Sequence, residues 1–161
     1  MEEKNDPRLH IIAVTGIIEW DGRYLVLKRS EREVAYPGLW TVPGGKFVRH
    51  EYEELPRTPR TDGWYDIVAY VLKKEIKEEA GLVVKDIRYL TDMTFIRPDG
   101  IPVLVLSYWC RYESGEVALG KDMTDSAWIT PEEGKKYPII PGILDEIASV
   151  DRIVKGENPR P

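Results

Sequence analysis

The sequence predicts an α+β fold in which helices cover the faces of a mixed β-sheet. Three observations carry this prediction. Two β-rich apolar runs flank the turn pair Asp21-Gly22, which is typical of a β-hairpin. Apolar residues recur at spacings of three and four between 64 and 80, which indicates an amphipathic helix. Several further β-rich runs follow that helix, so strands outnumber helices.

The elements are predicted in chain order from local patterns. A short strand at 39–42 is expected to end at Pro43-Gly44-Gly45, and the proline-bearing, charged stretch 46–63 is expected to be irregular. We expect Thr61 or Asp62 to cap the helix at about 64–80, and Gly81 to take the left-handed position after it. The remaining expectations are strands at 10–20, 24–28, 82–90, 93–96, 101–112, 116–119 and 127–129, and a C-terminal helix at about 143–153.

A chain of 161 residues is long enough for one domain of ordinary size. We predict a flexible N-terminus at 1–8, a single domain at 9–154 with an insertion at about 52–65, and a flexible tail at 155–161. Nothing in the sequence suggests an internal repeat.

Composition excludes several classes of function. The net charge of −5 argues against general nucleic-acid binding, although bound divalent cations can reverse the charge of a local site. The only cysteine, Cys110, cannot form an internal disulfide and lies in an apolar run, so we expect it to be buried. The polar N-terminus and the lack of a bilayer-spanning apolar run predict a cytoplasmic protein without a membrane segment.

The most informative segment is the acidic end of the first predicted helix. Glu75, Glu78 and Glu79 stand at i, i+3 and i+4, so their carboxylates share one stripe of the helix. Like charges at this spacing cost about 0.2–0.5 kcal/mol per pair, and the helix dipole also disfavours anions there. Three hard oxygen ligands suit Mg²⁺, or alternatively Mn²⁺. A solvated helix end neutralised by neighbouring lysines is the competing interpretation.

These residues resemble the signature of the Nudix hydrolases. That signature runs Gly, five residues, Glu, seven residues, then Arg-Glu-aliphatic-any-Glu-Glu-any-Gly-aliphatic. Residues 74–82 match its second half with Lys74 in place of Arg, and Gly45 and Glu51 match its first half. The 22 residues at 52–73 stand where the pattern has seven, so the box is split by an insertion. Asp66 could instead fill the first acidic place, although Glu51 keeps the spacing from Gly45.

The resemblance implies an α/β/α sandwich and hydrolysis of a pyrophosphate bond in a nucleoside diphosphate-linked substrate. It implies that Glu78, Glu79 and the Gly45 carbonyl bind the metal, and that Glu75 binds metal or orients the attacking water. Gly44, Gly45, Glu51, Lys74 and Gly81 would be structural residues of the box. Because lysine lacks the bidentate geometry of arginine, we expect Lys74 to pair with Glu51 or a neighbour, less rigidly.

Residues outside the box are predicted with less support. Family members often add an acidic residue before a late strand, and Asp125 is the candidate for a catalytic base or further ligand. A simple turn role is the alternative for Asp125. Substrate phosphates could contact Lys46 and either Lys28 or Arg29, of which we prefer Arg29. Family members often form homodimers, so a homodimer is possible.

Two alternatives to the hydrolase remain at this level. A non-catalytic Nudix-like nucleotide-binding module would share the fold, although a pure binder has no need of three clustered carboxylates. An isopentenyl diphosphate isomerase also shares it, but that enzyme uses cysteine and histidine partners that Cys110 and two distant histidines do not match. The 52–65 insertion is expected either to shape or close the pocket, or to be a surface loop or a dimer contact. The nucleotide itself is not specified by the sequence.

Overall fold

The architecture is taken from a computed structural model that describes residues 6–157. Within this range the sheet has the strand order β3-β2-β1-β6-β5, with β4 paired to β1 and β7 paired to β2. Strands β1 and β6 run parallel, whereas the other pairs are antiparallel, so the predicted mixed sheet is confirmed. The strands are β1 (Ile11–Trp20), β2 (Arg23–Arg29), β3 (Trp40–Thr41), β4 (Gly44–Lys46), β5 (Val83–Ile96), β6 (Pro102–Ser114) and β7 (Met123–Ile129).

The β1–β2 hairpin turns at Asp21-Gly22, as the dipeptide predicts. Both residues have positive φ, 51° and 76°, which is the backbone of a type I′ turn. Glu19 therefore stands opposite Tyr24 in the ladder.

The helices are α1 (Ile67–Ala80), α2 (Pro131–Gly134) and α3 (Ile143–Val154), and a 3₁₀ helix covers Arg49–Glu51. Helix α1 begins three residues later than predicted, and neither Thr61 nor Asp62 caps it. The Thr61 hydroxyl is instead engaged with the carbonyl oxygens of Thr58 and Gly63, at 2.8 and 3.0 Å, which keeps this stretch in a turn. Gly81 has a φ of 74° and donates its N–H to the Lys77 carbonyl, as expected for a C-terminal glycine.

The two long helices cover opposite faces of the sheet. Leu72 and Ile76 of α1 pack in one buried cluster with Val14 and Ile18, whereas Ile147 of α3 packs in another cluster. A Cβ atom at Gly16 would lie 3.1 Å from methyl groups of α1, so this glycine permits close packing of helix on sheet. Cys110 is fully buried in the first cluster, and burial raises the pKa of its thiol to about 12. It is therefore a core side chain rather than a nucleophile.

Most predicted strands are shifted by one or two residues at an end, β4 was not predicted, and the larger differences from the prediction lie in the second half of the chain. The runs 82–90 and 93–96 form one strand, β5, which follows β6 through several register shifts. Residues 116–119 are not a strand, because this segment binds the end of α1: the Ala118 and Gly120 N–H groups donate to the Ala80 and Glu79 carbonyls. Strand β7 begins at Met123 rather than at 127.

The expectations for the two chain ends fall partly on residues 1–5 and 158–161, which lie outside the described residues. In the described part, Asp6 pairs with Arg8, and Lys155 pairs with Asp151 of α3 at 2.7 Å. No helix within 6–157 is long and apolar enough to cross a bilayer.

Candidate active site

The site is built where the Gly44-Gly45 bend meets the acidic stripe of α1. Strand β4 pairs with β1 and places Gly45 opposite Val14. The Gly44 N–H donates to Oε2 of Glu79 over 3.1 Å. A Cβ atom at position 45 would lie 2.5 Å from the Glu75 carboxyl, so a side chain there would displace Glu75. Two segments more than thirty residues apart are thereby held in direct contact.

Glu51 joins this cluster from the 3₁₀ helix that follows β4. Its side chain is only 8% exposed, and its Oε1 lies 3.7 Å from the Nζ of Lys74. Its Oε2 is buried without a hydrogen-bond partner. Asp66 instead occupies the position before α1, with a left-handed φ of 58°. The structure therefore places Glu51, and not Asp66, beside Lys74, where the second half of the box begins.

Two glutamates of α1 are in an environment that disfavours their charge. Burial raises the pKa of Glu75 to about 7, and interaction with the Glu51 carboxyl adds to the rise. Burial likewise raises the pKa of Glu79 to about 7, opposed by the Gly44 N–H and the charge of Arg29. Such carboxylates gain from any cation that enters the site.

Glu78 differs from the other two glutamates. Its side chain is 56% exposed, and its Oε1 lies 3.8 Å from the Nζ of Lys74. Lys74 is thus shared between Glu51 and Glu78, which is the looser pairing expected from a lysine in this place.

The two side chains predicted to contact phosphate, Arg29 and Lys46, differ in their surroundings. Arg29 is the last residue of β2. Its guanidinium donates to the Ala35 carbonyl over 3.0 Å and pairs with Glu33 at 3.2 Å. Its charge also lowers the pKa of Glu79, so it acts on the site. Lys46 is exposed at the end of β4.

A second acidic residue near β7, Asp122, also lies close to the site, and the sequence reasoning did not consider it; the role of Asp125 stays a prediction. Asp122 raises the pKa of Glu79 through its charge, and its carbonyl accepts the Ser30 N–H at 3.0 Å, beside Arg29. Asp125 is exposed and accepts a hydrogen bond from the Ser126 N–H at 2.7 Å. The register of β7 on β2 shifts between Lys28 and Arg29, next to these residues.

The chain is similar in sequence and in fold to several known proteins. The nucleoside triphosphatase NudI of Salmonella arizonae is 28% identical over 136 residues, covering 78% of this chain and 86% of that protein. A MutT NUDIX hydrolase from Burkholderia pseudomallei superposes with a TM-score of 0.68 at 20% identity, covering 87% of this chain and 97% of its own. The NUDIX domain of Shewanella oneidensis NrtR, solved with ADP ribose, gives a TM-score of 0.67 at 16% identity, covering 96% and 95%. No protein-family model matches the sequence.

This chain has the fold of the Nudix hydrolases. The curated nucleoside triphosphatase aligns over most of the chain, and the two halves of the split box are in contact, so both observations are consistent with the resemblance.

The donor chemistry of this site fits a divalent cation. Within residues 6–157, no group of three or more His, Cys, Asp and Glu side chains stands ready to hold a metal ion. The Glu51, Glu75 and Glu79 carboxylates nevertheless supply the hard oxygens that Mg²⁺ and Mn²⁺ prefer, with water completing the shell. The buried, unpartnered Oε2 of Glu51 is an acceptor that a cation would satisfy. To hold one ion together, the side chains of these glutamates would have to move closer to one another.

The opposite face of this Nudix fold holds a cavity that sequence reasoning did not predict. It has a volume of about 400 Å³, lies between β5 and α3, and is lined by Tyr89, Leu90, Thr91, Asp145, Glu146, Ser149 and Ile153. Burial raises the pKa of Glu146, and a hydrogen bond with Ser107 opposes the rise. One feature of the sequence pointed to this place: Glu146 interrupts the apolar stripe of α3 between Ile143 and Ile147.

A short series of contacts connects this cavity to the glycine bend. A Cβ atom at Gly44 would lie 3.0 Å from Cγ2 of Thr15. The Thr15 hydroxyl lies 3.3 Å from the Ser107 hydroxyl, on the neighbouring strand. Neighbouring strands in a sheet are about 4.8 Å apart, so β4 and β6 are separated by roughly 10 Å, and β5, which lines the cavity, lies one strand further.

Proposed function

We propose that this Nudix hydrolase cleaves a pyrophosphate bond of a nucleoside triphosphate or a related nucleotide, with Mg²⁺ as its cofactor and Mn²⁺ as an alternative. The proposal is carried by the contact of the Gly44-Gly45 bend with Glu75 and Glu79. The nucleoside triphosphatase named above, aligned over 136 residues, supports the choice of substrate class.

The residues take the following roles in this proposal. Glu51, Glu75, Glu79 and the Gly45 carbonyl would hold the cation, and the role of Glu78 as a ligand stays a prediction. When bound, the cation would neutralise the negative charge of the phosphate oxygens and make the phosphorus easier for water to attack. Arg29 adds positive charge beside Glu79, where phosphate oxygens would lie. Glu75 orients the attacking water, and Asp122 or Asp125 completes the acidic set.

The cavity between β5 and α3 provides a place for the nucleoside. Tyr89 offers an aromatic surface in its lining, and Glu146, which is hydrogen-bonded to the buried Ser107, offers a polar group. A pocket with an apolar wall and a few polar groups is typical of sites for small planar ligands.

The direct test is a screen of nucleoside triphosphates, nucleoside diphosphate sugars and dinucleotides, with chromatography of the nucleotide products. We expect turnover of at least one class, its loss in chelator, and its return with Mg²⁺ or Mn²⁺. A Glu79→Gln variant run in parallel excludes a contaminating phosphatase. Turnover that survives both chelator and this substitution would contradict the proposal.

A nucleotide-binding module without hydrolysis is the second candidate. It is favoured by one observation, that the described acidic residues do not form a ready metal-binding group. The NUDIX domain solved with ADP ribose shows that this fold can hold a nucleotide derivative. Calorimetric titration with nucleotides, followed by analysis of the same samples for products, separates the two: binding with unchanged nucleotide supports the module.

Two further expectations stay predictions. The cytoplasmic location rests on sequence composition, and the homodimer rests on the family resemblance. Size-exclusion chromatography with light scattering tests the homodimer directly.

A further inference from the structure

The insertion that splits the box is closed by aromatic contacts at its two ends. The rings of Phe47 and Tyr52 stack with centroids 5.2 Å apart and planes inclined at 21°. The rings of Tyr52 and Trp64 meet edge to face at 5.2 Å. Residues 52 and 64, which bound the inserted stretch, are therefore in direct contact.

Hydrogen bonds stabilise the interior of the insertion. The Trp64 Nε1–H donates to the Leu55 carbonyl over 2.9 Å, and the Leu55 N–H donates to the Tyr52 carbonyl over the same distance. The Thr58 N–H donates to the Gly63 carbonyl at 2.8 Å, and the Thr58 hydroxyl accepts the Tyr65 N–H at 3.0 Å. A segment bonded in this way forms a fixed bracket rather than a hinged lid.

The bracket begins at the residue next to Glu51. Glu51 is the last residue of the 3₁₀ helix, and Tyr52 follows it as the C-terminal cap. The Glu53 N–H donates to the Arg49 carbonyl at 3.1 Å. On its other side, the Phe47 N–H donates to the Ile12 carbonyl at 2.7 Å, which ties the turn to β1. The turn carrying Glu51 is thus held between the sheet and the closed insertion.

We propose that Tyr52 and Trp64 are positioning residues: the closed insertion holds the turn that directs the buried Glu51 carboxylate toward Glu75 as part of a divalent-cation site. The inference rests on the proposed function in that the cation is the one the hydrolase uses. The family pattern has seven residues after this glutamate, whereas here 22 residues (52–73) intervene, and they would loosen the turn unless their ends were joined. Tyr52 and Trp64 make that join.

The test measures metal binding separately from catalysis. Mn²⁺ binding is followed by electron paramagnetic resonance of the free ion for the unmodified protein and the Trp64→Ala and Trp64→Phe variants. Loss of a supporting residue around a metal site weakens binding by about 10–100-fold, and we expect Trp64→Ala to fall at the lower end. Trp64→Phe keeps a ring against Tyr52 and should recover most of the affinity.

Two further variants distinguish positioning from general loss of structure. Trp64→Ala added to Glu51→Gln should weaken Mn²⁺ binding little further, because Glu51 is the route by which Trp64 acts. Trp20→Ala serves as the control, since Trp20 stacks on Tyr112 in a separate aromatic cluster. It should leave Mn²⁺ affinity unchanged. If Trp64→Ala does not fold, Thr58→Val opens the insertion without removing a ring, and a smaller loss of affinity is expected.

Unchanged Mn²⁺ affinity in a folded Trp64→Ala or Thr58→Val variant would overturn the inference, as would an equal loss in the presence and absence of Glu51. These results are independent of turnover. If the variants differ in Mn²⁺ affinity as predicted but the protein hydrolyses no nucleotide, only the proposed function is contradicted. A protein that hydrolyses nucleotides with metal affinities insensitive to the insertion contradicts the bracket alone.

Discussion

The Gly44 N–H donates to Oε2 of Glu79, so the backbone of the strand bend is joined to the last turns of α1. This contact orients a buried carboxylate that would otherwise be without a donor. It also holds the glycine bend against the acidic stripe, whose carboxylates would hold a cation. Mg²⁺ sites commonly combine few protein ligands with water and substrate phosphate.

Replacing Glu79 with Gln should abolish most activity and leave the fold intact. Removing one metal-binding carboxylate costs several kcal/mol of transition-state stabilisation, or about 10²–10³-fold in kcat. The free energy of unfolding should stay equal or rise, because a buried carboxylate is replaced by a neutral amide. Glu132→Gln on α2, where Glu132 pairs with Lys135, is the control for both measurements. Full retention of kcat in Glu79→Gln would exclude this residue from the mechanism.

The stability of the metal-free protein should fall as pH rises from about 5 to about 8. The pKa of Glu75 and of Glu79 is raised from 4.5 to about 7 in the folded chain, so the folded state binds more protons than the unfolded state between these values. The stabilisation is complete below the unfolded pKa and is lost as pH passes the folded pKa. Urea unfolding in chelator at several pH values measures this slope. Glu79→Gln should flatten it, and a slope identical to that of the unmodified protein would refute the assignment.

Asp122→Asn and Asp125→Asn form a matched pair that identifies the acidic residue acting on the site. Because Asp122 raises the pKa of Glu79 by its charge, its neutralisation should shift the acidic limb of the pH–rate profile to lower pH. Asp125 is engaged with the Ser126 N–H, so Asp125→Asn should leave that limb in place. The reverse pattern would restore the role predicted for Asp125 from the sequence.

Glu146→Gln should change the choice among nucleotides more than the rate of the chemical step. Glu146 lies at the cavity between β5 and α3, away from the carboxylates of α1. Loss of one hydrogen-bonding group that contacts substrate should raise KM by about 10-fold with little change in kcat, since such a contact is worth about 1.5 kcal/mol. Glu132→Gln on α2, outside the cavity, is the control. Equal KM values across all nucleotides in Glu146→Gln would place the nucleoside elsewhere.

Much of the fold follows from local patterns. The left-handed turn at Asp21-Gly22, the apolar periodicity of α1 and the terminal Gly81 are properties of a few consecutive residues, which is why sequence reasoning locates them. The stripe of Glu75 and Glu79 follows from the helix period alone. Local reasoning fails at 116–119, where the segment is occupied in hydrogen bonding to the end of α1.

The sequence by itself determined the acidic helix, the glycine bend and the position of the insertion, because each depends only on residues that are close together in the chain. Only the tertiary structure decided that Glu51 rather than Asp66 lies beside Lys74, that Asp122 acts on Glu79, and that Tyr52 closes on Trp64. These relationships depend on strand register and on contacts between distant segments. A shift of one or two residues in a ladder changes which side chain reaches the site, and no local pattern records that shift.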